Sequence, residues 1–263
     1  MTLILTIIFF AFGLIIGSFL NVVILRYNTR RTLGGRSSCM VCQKELAWHH
    51  LIPVFSFLAL KGRCAHCQTK ISTQYPLVEF VTGLIFAGLF LKFQDIFYVN
   101  ILVFSISVAY YAMMFSLLVV IAAYDLRHKI IPDMLSLFFG ILAFIGMFFF
   151  SNYGFNIHIP SALEFLSGVF IALPFGLLWL LSKGTWMGLG DAKLALGLGW
   201  LLGLSRVLSG VVLAFWSGAI VGVFLIIFSK KHGMKSEIPF APFLVLGIIL
   251  AFLFELHLFP IGF

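Results

Sequence analysis

Along the chain, long apolar runs alternate with short polar breaks. A helix crossing a bilayer needs about 20 apolar residues. Runs near that length fall at roughly 2–25, 76–93, 96–124, 132–151, 162–182, 190–204, 207–229 and 240–261. The sixth is short and Gly-rich, and the third is long enough to tilt or to project from the bilayer. None shows the alternating ten-residue pattern of a membrane β-strand, so the expected fold is all-α. This is the pattern of a polytopic membrane protein with about eight transmembrane helices. One long polar interval, Arg26 to Tyr75, interrupts the series between the first and second runs. The expected organisation is a first helix at 1–25, a loop domain at 26–75 and a helical membrane domain at 76–263.

Composition agrees with that pattern. Of the 263 residues, 62% are hydrophobic and only 10% charged, with a mean hydropathy of +1.14. Soluble domains carry nearer one quarter charged residues, so the bilayer is a partner of this chain. The first run is too long for a signal-peptide core and lacks a basic segment before it, so it reads as the first helix of the mature protein. Small-xxx-small pairs at Gly13/Gly17, Gly199/Gly203 and Gly218/Gly222 predict close helix packing. No internal repeat stands out, and the 32 Phe read as packing or lipid-facing side chains.

Charge supplies an orientation. Of 17 Lys and Arg, eight lie in the polar interval: Arg26, Arg30, Arg31, Arg36, Lys44, Lys61, Arg63 and Lys70. With eight alternating spans, the same side also receives Arg127, Lys129, Lys183, Lys193, Lys230, Lys231 and Lys235, leaving only Lys92 and Arg206 opposite. Cytoplasmic loops collect Lys and Arg, so the polar interval is expected in the cytoplasm and both termini outside. The net charge of +8 then reflects topology and anionic lipid. Nucleic acid is not an expected partner, because the cations follow the loops and form no recognition element.

The polar interval holds every cysteine. Cys39-Met-Val-Cys42 is followed after 21 residues by Cys64-Ala-His-Cys67. Each CxxC turn offers two sulfurs, and two turns close a tetrahedron around zinc. A four-thiolate shell leaves no open position for water, so the zinc would be structural. Two disulfides are the main alternative, and a reducing cytoplasm argues against them. His66 lies inside a knuckle, but four cysteines already suffice; His49 and His50 are expected at the membrane interface beside Trp48.

Two of the nine acids fall together by topology. Asp125 closes the third span in AAYDLRHKIIPD, and Asp191 opens the sixth in MGLGDAK. Both are assigned to the cytoplasmic side by counts that did not use them. Paired carboxylates that share a proton around a water are what an aspartyl protease needs. Ionisable residues at membrane depth are costly, which makes them functional candidates. Each also has a plain structural reading. Asp191 suits a helix start, where the dipole favours an acid, and Asp125 has Arg127 and Lys129 nearby. Asp133 after Pro132 reads as ordinary helix-start chemistry. Lys193, two residues from Asp191, points elsewhere on the helix. Glu79 has three readings: substrate, zinc-loop groups, or a loop arginine. Gly188 and Gly190 leave room beside Asp191 for an extended substrate backbone.

These motifs together resemble the type IV prepilin peptidases, bifunctional leader peptidases and N-methyltransferases of bacterial membranes. GSFLNVVILR (17–26) is similar to the family's first-helix signature. SSCMVCQKELAWHHLIPVFSFL (37–58) and GRCAHCQTKISTQYPLVE (62–79) resemble its cysteine loop. AAYDLRHKIIPD (122–133) and MGLGDAKL (187–194) resemble its aspartate motifs, and IPFAPFLVLG (238–247) the start of its last helix. The family often has a proline shortly after the first-helix arginine, whereas here Arg26-Tyr27-Asn28 follows. The GxGD motif is also similar to that of presenilin-like intramembrane proteases.

The resemblance implies that Asp125 and Asp191 are catalytic and that Cys39, Cys42, Cys64 and Cys67 hold zinc. It further implies cleavage of prepilins or pseudopilins after the glycine ending a basic leader, on the cytoplasmic side of the inner membrane. The new N-terminus is then methylated from S-adenosylmethionine, with the cysteine loop as the associated region. No Gly-rich strand-to-helix fingerprint is present, so methyl transfer rests on the resemblance alone. A rival reading is a non-enzymatic adaptor of pilus or secretion assembly that recruits partners through the zinc loop. An ion transporter is disfavoured, because the acids sit at one face and not mid-membrane. Oligomeric state is left open by the sequence.

Overall fold

The computed structural model describes residues 1–29, 32, 34–151, 154–228 and 238–258. Arg30, Arg31, Lys230, Lys231, Lys235 and the predicted helix ends at 229 and 259–261 lie outside the described residues. All eight apolar runs are helices: α1 (Thr2–Arg26), α3 (Gln74–Val99), α4 (Ile101–His128), α5 (Asp133–Gly146), α6 (Ala162–Ser182), α7 (Leu189–Leu202), α8 (Leu204–Phe228) and α9 (Ala241–Leu253). The polar interval adds a short α2 (Phe55–Ala59) and a 3-10 turn at Trp48–Leu51. The strands β1 (Phe150–Ser151) and β2 (Gly154–Phe155) pair antiparallel.

Helices α5 and α9 are shorter than the sequence expectation, whereas α7 is short as expected. Among the described residues, α1, α3, α4, α6 and α8 are long and apolar enough to cross a membrane. By contrast α5, α7 and α9 have 14, 14 and 13 residues. At 1.5 Å per residue each rises about 20 Å, some 10 Å short of a typical hydrocarbon core. Local stops explain this. Gly146 at the end of α5 abuts the Tyr110 ring, and the chain then turns into β1–β2. Gly203 takes a positive φ of 75° after α7, and Glu255 one of 51° shortly after α9. The ribbon beyond α5 satisfies its backbone on α4: Ser107 Oγ accepts the Phe155 N–H at 2.7 Å, and Tyr111 donates to the Ser151 carbonyl at 3.0 Å. Irregular backbone near membrane depth is tolerated only when it is paired in this way.

The chain divides into two compact units, Met1–Gln94 and Asp95–Phe263. In the first, α1 packs on α3 through glycines. A Cβ on Gly13 would lie 2.8 Å from the Gly83 Cα, and one on Gly17 2.7 Å from the Glu79 Cα. Phe9 stacks on Phe90, and the buried Asn21 donates to the Tyr75 carbonyl at 3.0 Å.

In the second unit, α6 and α7 meet where Gly168 faces Gly199, and the Ser167 hydroxyl donates to the Gly199 carbonyl at 2.8 Å. The α8–α9 pair meets at Gly210 and Gly247. The predicted partner Gly203 is a C-cap with open space around it, so that glycine serves the turn and not the helix contact. A Cβ on Gly199 would sit 2.5 Å from the Gly168 Cα. Gly199→Val is therefore expected to destabilise the protein by about 1–3 kcal/mol through overpacking. A lower thermal midpoint in detergent, absent from Gly176→Val where nothing lies within 4 Å, is the check.

Candidate functional site

Asp191 is the third residue of α7, whose N-cap is Gly188. Its side chain reaches back to the Gly188 backbone amide, which is half of a capping box. Gly190 does not leave room for substrate as expected from sequence. A Cβ there would lie 2.8 Å from the Ile131 Cβ, so this glycine admits the α4–α5 connection against α7. Beside Gly188, among the described residues, the Asp191 carboxylate and the Gly190 amide are the atoms within 4 Å of an added Cβ.

Asp125 lies in the last turn of α4, which ends at Lys129 in the left-handed conformation (φ 55°). An acid there opposes the helix dipole, so it is not a helix-capping device. Among the described residues it forms no ion pair with Arg127 or Lys129. Its Oδ2 instead accepts the Ala241 backbone N–H from the start of α9, at 3.3 Å. Asp125 and Asp191 are 5% and 8% exposed and close enough for the charge of one to act on the other. The structure thus brings together two carboxylates 66 positions apart in sequence.

The flanking charges pair elsewhere. Lys193 Nζ lies 2.8 Å from Asp133 Oδ1, joining the starts of α7 and α5. Exposed pairs of this kind contribute about 0–1 kcal/mol. Lys193→Ala is accordingly expected to keep substrate cleavage within about twofold of wild type, measured in the assay described below.

In the first unit the four Cys Sγ atoms lie within 4.8 Å of one another, and all four thiols are free. Cys39 and Cys67 Sγ are 3.8 Å apart, close to the tetrahedral edge expected for Zn–S bonds of about 2.3 Å. The two knuckles repeat one backbone pattern. The Gln43 and Gln68 amides bond to the Cys39 and Cys64 carbonyls, and the Cys39 and Cys64 amides to the Lys44 and Thr69 carbonyls. Both glutamines take a positive φ, 56° and 57°. The CxxC repeat is legible in the sequence; the glutamine that follows each knuckle, in CMVCQ and CAHCQ, is not assigned a role there. The Cys67 thiol bonds to Thr69 Oγ1 at 3.3 Å, and this contact, then the one with the Thr69 backbone, lowers it to about 6. Four free sulfurs at this spacing fit a metal ion that takes thiolates.

Around this cluster, His50 faces His49 at 4.1 Å and His66 at 6.1 Å between ring centroids, with the exposed Trp48 beside them. Burial, and then the neighbouring imidazoles His49 and His66, push His50 below the usual histidine range. Glu79 binds the loop: its Oε2 accepts the Val54 N–H at 2.7 Å. Val54 is β-branched with φ 61°, a strained conformation that such an anchor holds in place. Among the described residues the strands are β1 and β2 alone.

Comparison with known proteins follows the same division. Residues 11–93 match the bacterial peptidase A24 N-terminal domain, and residues 112–223 the type IV leader peptidase family. A Myxococcus xanthus protein is 32% identical over 87% of this chain, and the match spans 65% of that relative's length. A Bacillus subtilis protein is 29% identical over 94% of this chain and 93% of its own length. A Burkholderia pseudomallei protein is 30% identical, with 89% and 81% covered. All three are named prepilin leader peptidase/N-methyltransferase. No solved structure matches the chain.

Proposed function

Since the chain belongs to the type IV leader peptidase family, we propose that it is a membrane aspartyl endopeptidase that removes prepilin or pseudopilin leaders and then N-methylates the new N-terminus. The observation carrying the peptidase reading is the convergence of Asp125 and Asp191 from α4 and α7. The enzyme names of the relatives favour it over a non-enzymatic adaptor.

In the proposed reaction one carboxylate takes a proton from a water whose oxygen attacks the scissile carbonyl. The other, protonated, gives its proton to the carbonyl oxygen. Collapse of the tetrahedral gem-diol breaks the C–N bond as the ionised carboxylate takes back a hydroxyl proton and the other carboxyl gives its proton to the leaving nitrogen. The pair returns to one shared proton, as two nearby carboxylates favour. Burial of both side chains keeps bulk water from weakening these interactions.

The 15 basic residues assigned to one side by helix alternation support a cytoplasmic site and loop in the bacterial inner membrane. Residues 26–75 are the proposed methyltransferase-associated region and 76–263 the peptidase domain. Zinc, held by Cys39, Cys42, Cys64 and Cys67, would act as a structural centre. S-adenosylmethionine would supply the methyl group. Purified protein incubated with a prepilin and isotopically labelled S-adenosylmethionine is expected to give a shortened, methylated product by mass spectrometry. An unshortened prepilin under these conditions overturns the proposal, and a shortened but unlabelled one overturns its methyl-transfer half.

A further inference from the structure

The short helix α9 reaches Asp125 with the backbone of its first residue. Ala241, its first residue, is 0% exposed, and its backbone N–H is directed at Asp125 Oδ2. A helix start normally presents several free N–H groups. Here the local sequence leaves one aimed at the carboxylate. Pro242 has no amide hydrogen, and the Phe243 and Leu244 amides bond to the Phe240 carbonyl at 3.0 and 3.1 Å.

The two aspartates are therefore held by different devices. Asp191 is held by its own helix, through the Gly188 amide one turn back. Asp125 sits where its own helix offers only carbonyl ends, and its donor comes from 116 residues away in sequence. The N-terminal end of α9 offsets the unfavourable end of α4. A single N–H on Oδ2 also fixes the rotation of the carboxyl group and leaves Oδ1 available to a water.

We propose that the Ala241 amide is a positioning group for the peptidase reaction, orienting Asp125 for proton transfer. This rests on the dyad reading above. Because the amide acts on the carboxylate and not on substrate, its loss lowers kcat and leaves KM unchanged. The small side chain follows from complete burial beside Asp125.

The test removes the hydrogen while keeping the side chain. Lactic acid placed at 241 by nonsense suppression replaces the N–H with an ester oxygen. Ala241→Pro also removes the donor, at a first helical position where proline is tolerated, and Ala241→Gly keeps it. Kinetics are measured on the full protein with a prepilin, and the thermal midpoint in detergent serves as the check on folding. The ester and proline forms are expected to lose about 10- to 100-fold in kcat with KM within about twofold, the range of one hydrogen bond to a charged group. The glycine form stays within about threefold of wild type. An ester form with wild-type kcat, or a loss carried by KM alone, overturns the proposal. If Ala241→Pro does not accumulate, the ester decides. Asp125→Asn separates the two readings: cleavage by that variant removes the dyad itself, whereas an inactive Asp125→Asn beside a fully active ester form removes only the role of the amide.

Discussion

Asp125→Asn and Asp191→Asn are each expected to lower prepilin cleavage at least about 10²- to 10⁴-fold, the range of positioned acid–base catalysis, while both proteins still accumulate in membranes. The stability side of this expectation follows from local geometry. Asp191 also bonds to the Gly188 amide at the start of α7, a helix-end interaction worth about 0.3–1 kcal/mol. Asparagine keeps an acceptor oxygen for that amide, and likewise for the Ala241 N–H on Asp125. The substitution therefore changes proton chemistry far more than packing. The adaptor reading predicts the reverse, unchanged function in both variants. Gel analysis of prepilin processing, paired with quantitation of membrane-bound protein, distinguishes them. Cleavage retained by either variant sinks the two-carboxylate mechanism.

The plain and the catalytic readings of Asp191 are not rivals in the structure. The residue sits at the third helical position with its N-cap amide in reach, as a structural acid would. What separates it from an ordinary helix-end charge is the second buried carboxylate acting on it. Asp125 is the more telling residue, because nothing about the end of α4 favours an acid.

Much of this was legible in the sequence because membrane helices are written in apolar length, and metal knuckles in cysteine spacing. All eight runs became helices, and the four thiols converge. What was hidden depends on contacts distant in sequence. The early ends of α5 and α9 reflect Tyr110 at Gly146 and a turn at Glu255 within apolar runs that pattern alone would continue. Gly190 looked like space for substrate, yet the Ile131 side chain occupies that side. The Ala241 amide had no side-chain signature at all, apart from the proline beside it. The glutamine that closes each knuckle was present in the letters, beside a CxxC spacing that gave no reason to single it out.

Metal removal is expected to have the second large effect. Among the described residues of 26–75, Cys64 is the single buried apolar side chain, at 3% exposure. The interval thus has almost no hydrophobic core, and the sulfur cluster occupies the place where one would be. Apparent zinc affinities in such sites, about 10–16 kcal/mol, act as folding energy for the segment that supplies the ligands. Cys64→Ser, or exhaustive chelation, is therefore expected to take bound zinc from about one per chain to none and to make residues 32–73 sensitive to limited proteolysis. The Glu79–Val54 contact lies at the α3 end of this interval, so loosening the loop also releases the strained Val54. Helices α4 to α9 form their own compact unit with the aspartates inside it, so methyl transfer should fall at least as far as cleavage. Elemental analysis, proteolysis and the two-readout prepilin assay on one preparation provide the comparison. Full activity in both reactions from protein verified as metal-free would show that the thiolate cluster does not hold the loop together.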